Sequence, residues 1–338
     1  MSGDYGNYTI EVSFHSPLAT PLQADTIFGH ICWAVRYLKW KKEDRLAQFL
    51  GEFTETEPPP LLVSNGFPKG FLPKPIIPPV KQKVIDELYG LEDRINNSFK
   101  IKTIKSTDII PKARFSELQK ERITPENLFR EMIACYEEIE ALNKKKESMV
   151  VQHNSIDRIK GRVKEGGLYS QEETFFDEGH GVYEVYLKTN YFAKEELKRI
   201  FMFMSEGGFG RDKSTGKGYF SFDIHDGIDL PEAESPNAFM TLSSFIPTGK
   251  NPTKGYYNIV HKFGKLGGHY AKGVDEVHRN PFKVPLIMFT AGSLFFDKYE
   301  TGKVYGSLLG EVHENKAIRH YAYAFPIGIN VEVDNEDI

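Results

Sequence analysis

Cysteine is almost missing from this 338-residue chain: Cys32 and Cys135 are the only two, they stand far apart, and neither sits in a CxxC spacing. That arithmetic excludes a disulfide framework and a cysteine-held zinc site, and it suits a reducing, cytoplasmic setting. Long apolar runs are missing as well. The most apolar stretch, Val284 to Phe296, is interrupted by Thr290, Gly292 and Ser293 and falls short of the roughly 18–20 residues of a spanning helix, so no membrane segment is expected. Met1 to Tyr8 is polar rather than basic-then-apolar, which argues against a secretory leader. An excess of positive charge is also lacking: 43 Lys and Arg against 47 Asp and Glu leave a net charge of -4, so any contact with nucleic acid has to be local. HxH and HExxH spacings do not occur, and neither a metal nor another cofactor is expected.

What is present is an ordinary globular composition, 40% hydrophobic and 27% charged, enough for two modest domains. Tyr8, Ile10, Val12 and Phe14 alternate with polar residues and predict a half-buried strand. Asp25 is expected to cap a helix whose Ile27, Phe28, Ile31, Val35 and Leu38 share a face. Between Glu55 and Val80 eight prolines predict an extended loop, and residues up to Met149 read as a charged insertion with a helix from about Pro125 to Lys146. Alternation returns at Tyr183 to Thr189, followed by a helix carrying Leu197, Ile200, Phe201 and Met204, a glycine-rich loop, and a strand with Phe220, Phe222 and Ile224 on one face. The reading is α+β. Residues 1–230 form a ferredoxin-like domain with an insertion at about 55–150, its other sheet face open; Asp226 to Pro236 resembles a linker, and 231–338 form a second α+β domain rich in aromatic strands.

The glycine-rich loop, GGFGRDKSTGKG, places Gly207, Gly208, Gly210, Gly216 and Gly218 among Arg211, Lys213, Ser214, Thr215 and Lys217. Glycine lets backbone amides approach a phosphate, and the interleaved basic side chains supply charge-assisted hydrogen bonds. The competing reading is a solvated surface loop. A nucleotide P-loop is excluded, because five residues rather than four separate Gly210 from Gly216, Gly218 follows Lys217 where Ser or Thr is required, and the loop leads from helix to strand.

A second cluster, His153-Asn154-Ser155-Ile156-Asp157-Arg158, leads into Lys160, Arg162 and Lys164. It suits hydrogen bonds to bases or a 2′-hydroxyl and ion pairs to phosphates, or equally a solvated polar loop. From Lys100 to Arg122 seven basic residues face three acidic ones, a stretch able to track a phosphate backbone with Phe99 or Phe115 for stacking, or to be a lysine-rich solvated face. No catalytic residue is assigned. His225-Asp226 is an isolated dipeptide without further metal ligands, and His15 and His30 are the candidates for acid-base chemistry only if the fold juxtaposes them.

Three segments in order, SPLATPLQADTIFGHICWA at Ser16 to Ala34, HNSIDR at His153 to Arg158, and the glycine loop, resemble the RAMP superfamily, the ferredoxin-like RNA-binding proteins of CRISPR systems. GKLGG at Gly264 to Gly268 and Ala291 to Phe295 extend the resemblance. It implies two ferredoxin-like domains and a non-catalytic cap at the 5′ end of the guide RNA in a type III-A antiviral effector, holding the repeat-derived tag. The implied partners are guide RNA, the large polymerase-like subunit and the first repeating backbone subunit, with the insertion acting as a thumb that kinks the RNA. By the same resemblance Gly207, Gly208, Gly210, Arg211, Lys213, Ser214 and Lys217 cradle the tag, with His153, Asn154, Ser155 and Arg158 alongside. Some relatives cut repeat RNA without metal, which keeps an endoribonuclease as the rival reading.

Overall fold

The structure is a computed structural model describing residues 5–38, 40, 45–54, 58–87, 97–157, 159–272, 280–300 and 302–332. Its first sheet is antiparallel and four-stranded, in the order β2-β7-β1-β8, from β1 (Gly6–Phe14), β2 (Leu61–Pro68), β7 (Val182–Thr189) and β8 (Phe220–Asp226). Helices α1 (Ala24–Tyr37) and α7 (Lys194–Gly207) connect β1 to β2 and β7 to β8 and pack on each other, giving the β-α-β-β-α-β connectivity of a ferredoxin-like unit. The alternation in β1 places Ile10, Val12 and Phe14 in the core, on the face where Phe222 meets Phe201 of α7 at 5.8 Å between ring centroids.

Two sequence expectations need correction here. The proline-rich segment is not all loop: Leu61 to Phe67 lie between Pro60 and Pro68, and an edge strand tolerates proline at its ends, so β2 forms and the insertion starts after it. Nor does Asp25 cap α1, which begins one residue earlier. Its carboxylate pairs with Lys262 at 2.9 Å, and the Ala24 amide donates instead to Asn65 Oδ1 at 2.9 Å, presented by a bulge in β2 between Val63 and Gly66. Asn65→Ala is expected to cost about 1 kcal/mol, read as a lowered urea midpoint at unchanged m-value.

The insertion contributes β3 (Phe71–Pro73), helices α3 (Ser98–Ser106), α4 (Lys112–Gln119), α5 (Pro125–Ala134) and α6 (Tyr136–Lys144), the strand β4 (Ile109–Pro111), and a long hairpin of β5 (Lys146–Asp157) and β6 (Arg162–Phe176). The helix expected over Pro125 to Lys146 is two helices broken at Cys135; the first is closed by a Thr124–Asn127 capping box.

The second sheet repeats the first sheet's order. Chain order β9 (Ala238–Thr241), β10 (Gly255–Tyr256), β13 (Leu294–Phe296) and β16 (Pro326–Ile329) becomes β10-β13-β9-β16 in space, all antiparallel. The crossovers differ. Residues 242–254, with Pro247, Gly249 and Pro252, cannot sustain a helix, and the second crossover carries the hairpin of β14 (Gly306–Leu309) and β15 (His320–Tyr323). Among the described residues this half has no α-helix, so by itself it is not a second ferredoxin-like domain. Its core is continuous with that of the first half: Phe28 of α1 stacks on Tyr321 at 4.9 Å, and the Tyr321 hydroxyl accepts from the Val63 amide at 3.0 Å.

Candidate nucleic-acid interface

The three sequence segments that carry the resemblance meet at one rim of the first sheet. The link from β1 to α1 zips against the glycine loop: Gly218 N–H donates to Pro17 O at 2.9 Å, Tyr219 N–H to Ser16 Oγ at 2.8 Å, and Arg211 N–H to Thr20 Oγ1 at 2.9 Å. On its other side the link pairs with β6, where Leu18 and Thr174 exchange backbone hydrogen bonds of 2.9 Å. The hairpin closes the triangle. Glu173, 2% exposed, takes an ion pair from Lys217 of the loop and a hydrogen bond from His153 Nε2 at 2.9 Å, and Gln171 two residues earlier accepts from Arg211 Nη1 at 3.2 Å. Burial alone raises the Glu173 carboxyl, but the hydrogen bonds from Lys217 and then His153 outweigh it and hold the group below its ordinary value.

Glycine geometry serves this folding of the loop onto itself. Gly218 has φ +65° and lies so close to the Phe209 carbonyl that a Cβ would overlap it, and a Cβ on Gly210, at φ +79°, would come within 2.6 Å of the Thr20 side chain. Phe209 is buried and stacks on His30 at 4.6 Å, while His30 Nε2 accepts the Gly210 amide at 3.1 Å. That bond requires a neutral ring, and burial, followed by the nearby Lys213 charge, lowers its pKa to about 3.

The amides of Gly210 and Arg211 thus have partners within the protein, Lys217 is paired with Glu173, and Arg211, itself exposed, leans one guanidinium nitrogen on Gln171. Besides Arg211 the loop presents its tip outward, with Lys213, Ser214, Thr215 and Gly216 exposed around a single 3-10 turn. Gly207 and Gly208 lie at the end of α7. In the second cluster, residues 153–157 are strand rather than loop; His153 stacks on Tyr169 at 5.3 Å, Asn154 faces solvent, and Arg158 and the Ser155 side chain lie outside the described residues.

The basic stretch of the insertion is largely neutralised. Lys112 pairs with Asp229, Arg114 with Glu131 and Glu138, Lys120 with Glu117 and Arg122 with Glu332, while Lys102 and Lys105 remain exposed. Phe99 is 71% exposed, but Phe115 is fully buried and offers no stacking surface. The far face of the first sheet is acidic: Glu11 of β1 sits directly opposite Glu184 on β7 and Asp223 on β8. Like charges so placed repel one another, and Lys69, 2.6 Å from Glu11, offsets this only in part. Phosphates are disfavoured there.

Sequence reasoning missed Glu173 and Gln171, whose period-two spacing on β6 was the only available signal. His15 and His30 are both tied up: His15 Nε2 bonds Ser221 Oγ at 2.7 Å, and His30 holds the loop. His225 faces Glu11 at 4.0 Å and Asp226 pairs with Lys194.

No protein-family model and no curated protein matches this chain. Solved structures do. Along 97% of its length the chain is similar to the Csm1–Csm4 cassette structures, in complex with cA4 (16% identity, TM-score 0.55, 100% of that chain covered) and with pppApA (15%, 0.54, 100%). It is also similar, over 95% of its length and 99% of the other, to the Csm3–Csm4 subcomplex in the type III-A CRISPR-Cas interference complex (15%, 0.57). At such identities the likeness shows the fold alone. More particularly, it is the fold of Csm4 in those complexes. Among the described residues no helix is long and apolar enough to cross a membrane.

Proposed function

We propose that this chain is a Csm4-type subunit of a type III-A CRISPR interference complex that binds the 5′ repeat-derived tag of the guide RNA without cutting it. The observation that carries the reading is the convergence of the β1–α1 link, the glycine loop and the hairpin on Glu173 and Gln171, which holds Lys213 and Ser214 outward at a rim next to the hairpin. The hairpin serves as the thumb: Val150, Ile156 and Leu168 are all more than half exposed, surfaces suited to unstacked bases. The protein partners are the large polymerase-like subunit and the first repeating backbone subunit, as in the complexes that share the fold. The commitment of His30 to the Gly210 amide supports a non-catalytic role over an endoribonuclease, since that ring nitrogen is not left to move a proton.

The test uses the chain assembled with its two partner subunits, in chelator, with guide RNA carrying or lacking the tag. Tag-dependent binding without cleavage is expected; clean cleavage in chelator would move the protein to the nuclease class. Lys213→Ala is expected to weaken tag binding about tenfold and to lower the salt slope by about one ion. Unchanged affinity and slope would remove the loop tip from the interface.

A further inference from the structure

Between the glycine loop and the insertion lies a groove of about 1100 Å³, at the upper end of the size of small-molecule sites. Its floor is apolar, with Leu18, Pro75 and Ile77, and its rim carries Lys105 and Arg211. Gln171, also in its wall, is 4% exposed, and its amide is used only on one side. Oε1 accepts from Arg211, whereas Nε2, with two hydrogens to donate, has no partner. A buried amide nitrogen left without an acceptor is unfavourable and is relieved by a ligand that brings one.

We infer that the groove receives one unstacked base of the bound RNA and that Gln171 selects it. This rests on the RNA-binding reading above and names the residue that sets its specificity. The apolar floor takes the ring faces, and the Arg211 guanidinium, anchored on Oε1, lies at the rim where the nucleotide's phosphate passes. Oε1 already accepts from Arg211, and the wholly unmet capacity of Gln171 is the pair of donor hydrogens on Nε2. Gln171 rewards a base that turns a keto oxygen toward it, uracil or guanine, and penalises one that presents an amino group there, cytosine or adenine.

The experiment uses the assembled complex and a set of guide RNAs in which each tag position is in turn each of the four nucleotides. For the wild type, one position is expected to favour uridine or guanosine over cytidine or adenosine by about fivefold. Gln171→Leu should flatten that preference and leave the salt slope unchanged. Gln171→Glu keeps an oxygen for Arg211 and replaces the donor with an acceptor, so the order of preference at that position should reverse. A base profile that is the same in wild type and both variants, or flat at every position in the wild type, overturns the inference while tag-dependent binding itself stands. Equal binding of tagged and tagless RNA overturns the RNA reading together with the inference.

Discussion

Glu173→Leu is expected to destabilise the protein by about 3 kcal/mol and to weaken binding of the tagged guide RNA, even though it removes a negative charge from the proposed RNA-binding rim. The stability loss follows from geometry. Glu173 is 2% exposed, and Lys217 and His153, with side chains 17% and 23% exposed, are both oriented by it. Without the carboxylate, Lys217 is a partly buried cation with no counter-charge. Glu173→Gln keeps a hydrogen-bond acceptor and loses the ionic part, so its cost should be smaller, about 1–2 kcal/mol. The double variant Glu173→Leu with Lys217→Met should recover much of the loss, because replacing both partners removes the stranded charge. Urea unfolding of the four proteins gives these values directly, and a double variant no better than the single one would show that the pair is not the cause. The binding prediction separates two explanations. If charge alone governed affinity, Glu173→Leu would bind more tightly; a decrease means that Glu173 positions the loop tip against the hairpin.

That carboxylate also shows where the sequence was silent. β1, β7, β8 and both helices of the first sheet were legible because one side of each is buried and the apolar period appears in the residue order. β2 was not, since Leu61, Leu62, Val63 and Ser64 are all buried and proline flanks the run, which erases alternation. β5 and β6 failed for the opposite reason: much of the hairpin is exposed on both faces, so its pattern resembles a polar loop. In the C-terminal half aromatic strands were expected, and the helices of a second ferredoxin-like domain came only from the resemblance; the residues of the crossover do not support them.

At the candidate site the sequence singled out segments that the fold brings together, and it gave no sign of the partners their side chains have within the protein. Arg211 and Lys217 were read as phosphate ligands because they are basic and lie among glycines. Their partners, Gln171 and Glu173, come from a strand about 40 residues away, and nothing local signals the pairing. The same holds for His30, a candidate base by residue type and, in the fold, the acceptor that pins Gly210. A fold brings such groups together over separations that periodicity does not reach.

Acid should unfold this protein well above the pH at which ordinary carboxylates titrate. Burial followed by the Lys213 charge lowers the His30 pKa from 6.5 to about 3, and burial followed by Lys283 lowers that of His320 to about 4. In the unfolded chain both rings take up a proton near pH 6.5. Between the folded and unfolded values the unfolded state therefore binds more protons, and stability rises with pH. The contribution is fully present above about pH 6.5 and is lost progressively as pH falls toward 4 and then 3. Together the two histidines account for a loss of several kcal/mol, on the order of half of a typical domain's stability. Glu173, also held below its ordinary value in the fold, adds in the same direction at lower pH as its ion pair with Lys217 is lost. Urea midpoints measured from pH 7.5 to 4.5 should fall steeply, with the first steps near pH 6.5. His30→Gln can still accept the Gly210 amide without titrating, so its midpoints should fall less steeply over this range. A wild-type midpoint that is flat down to pH 5 would mean that neither ring is held neutral by the fold, and an unchanged slope in His30→Gln would remove His30 as a source.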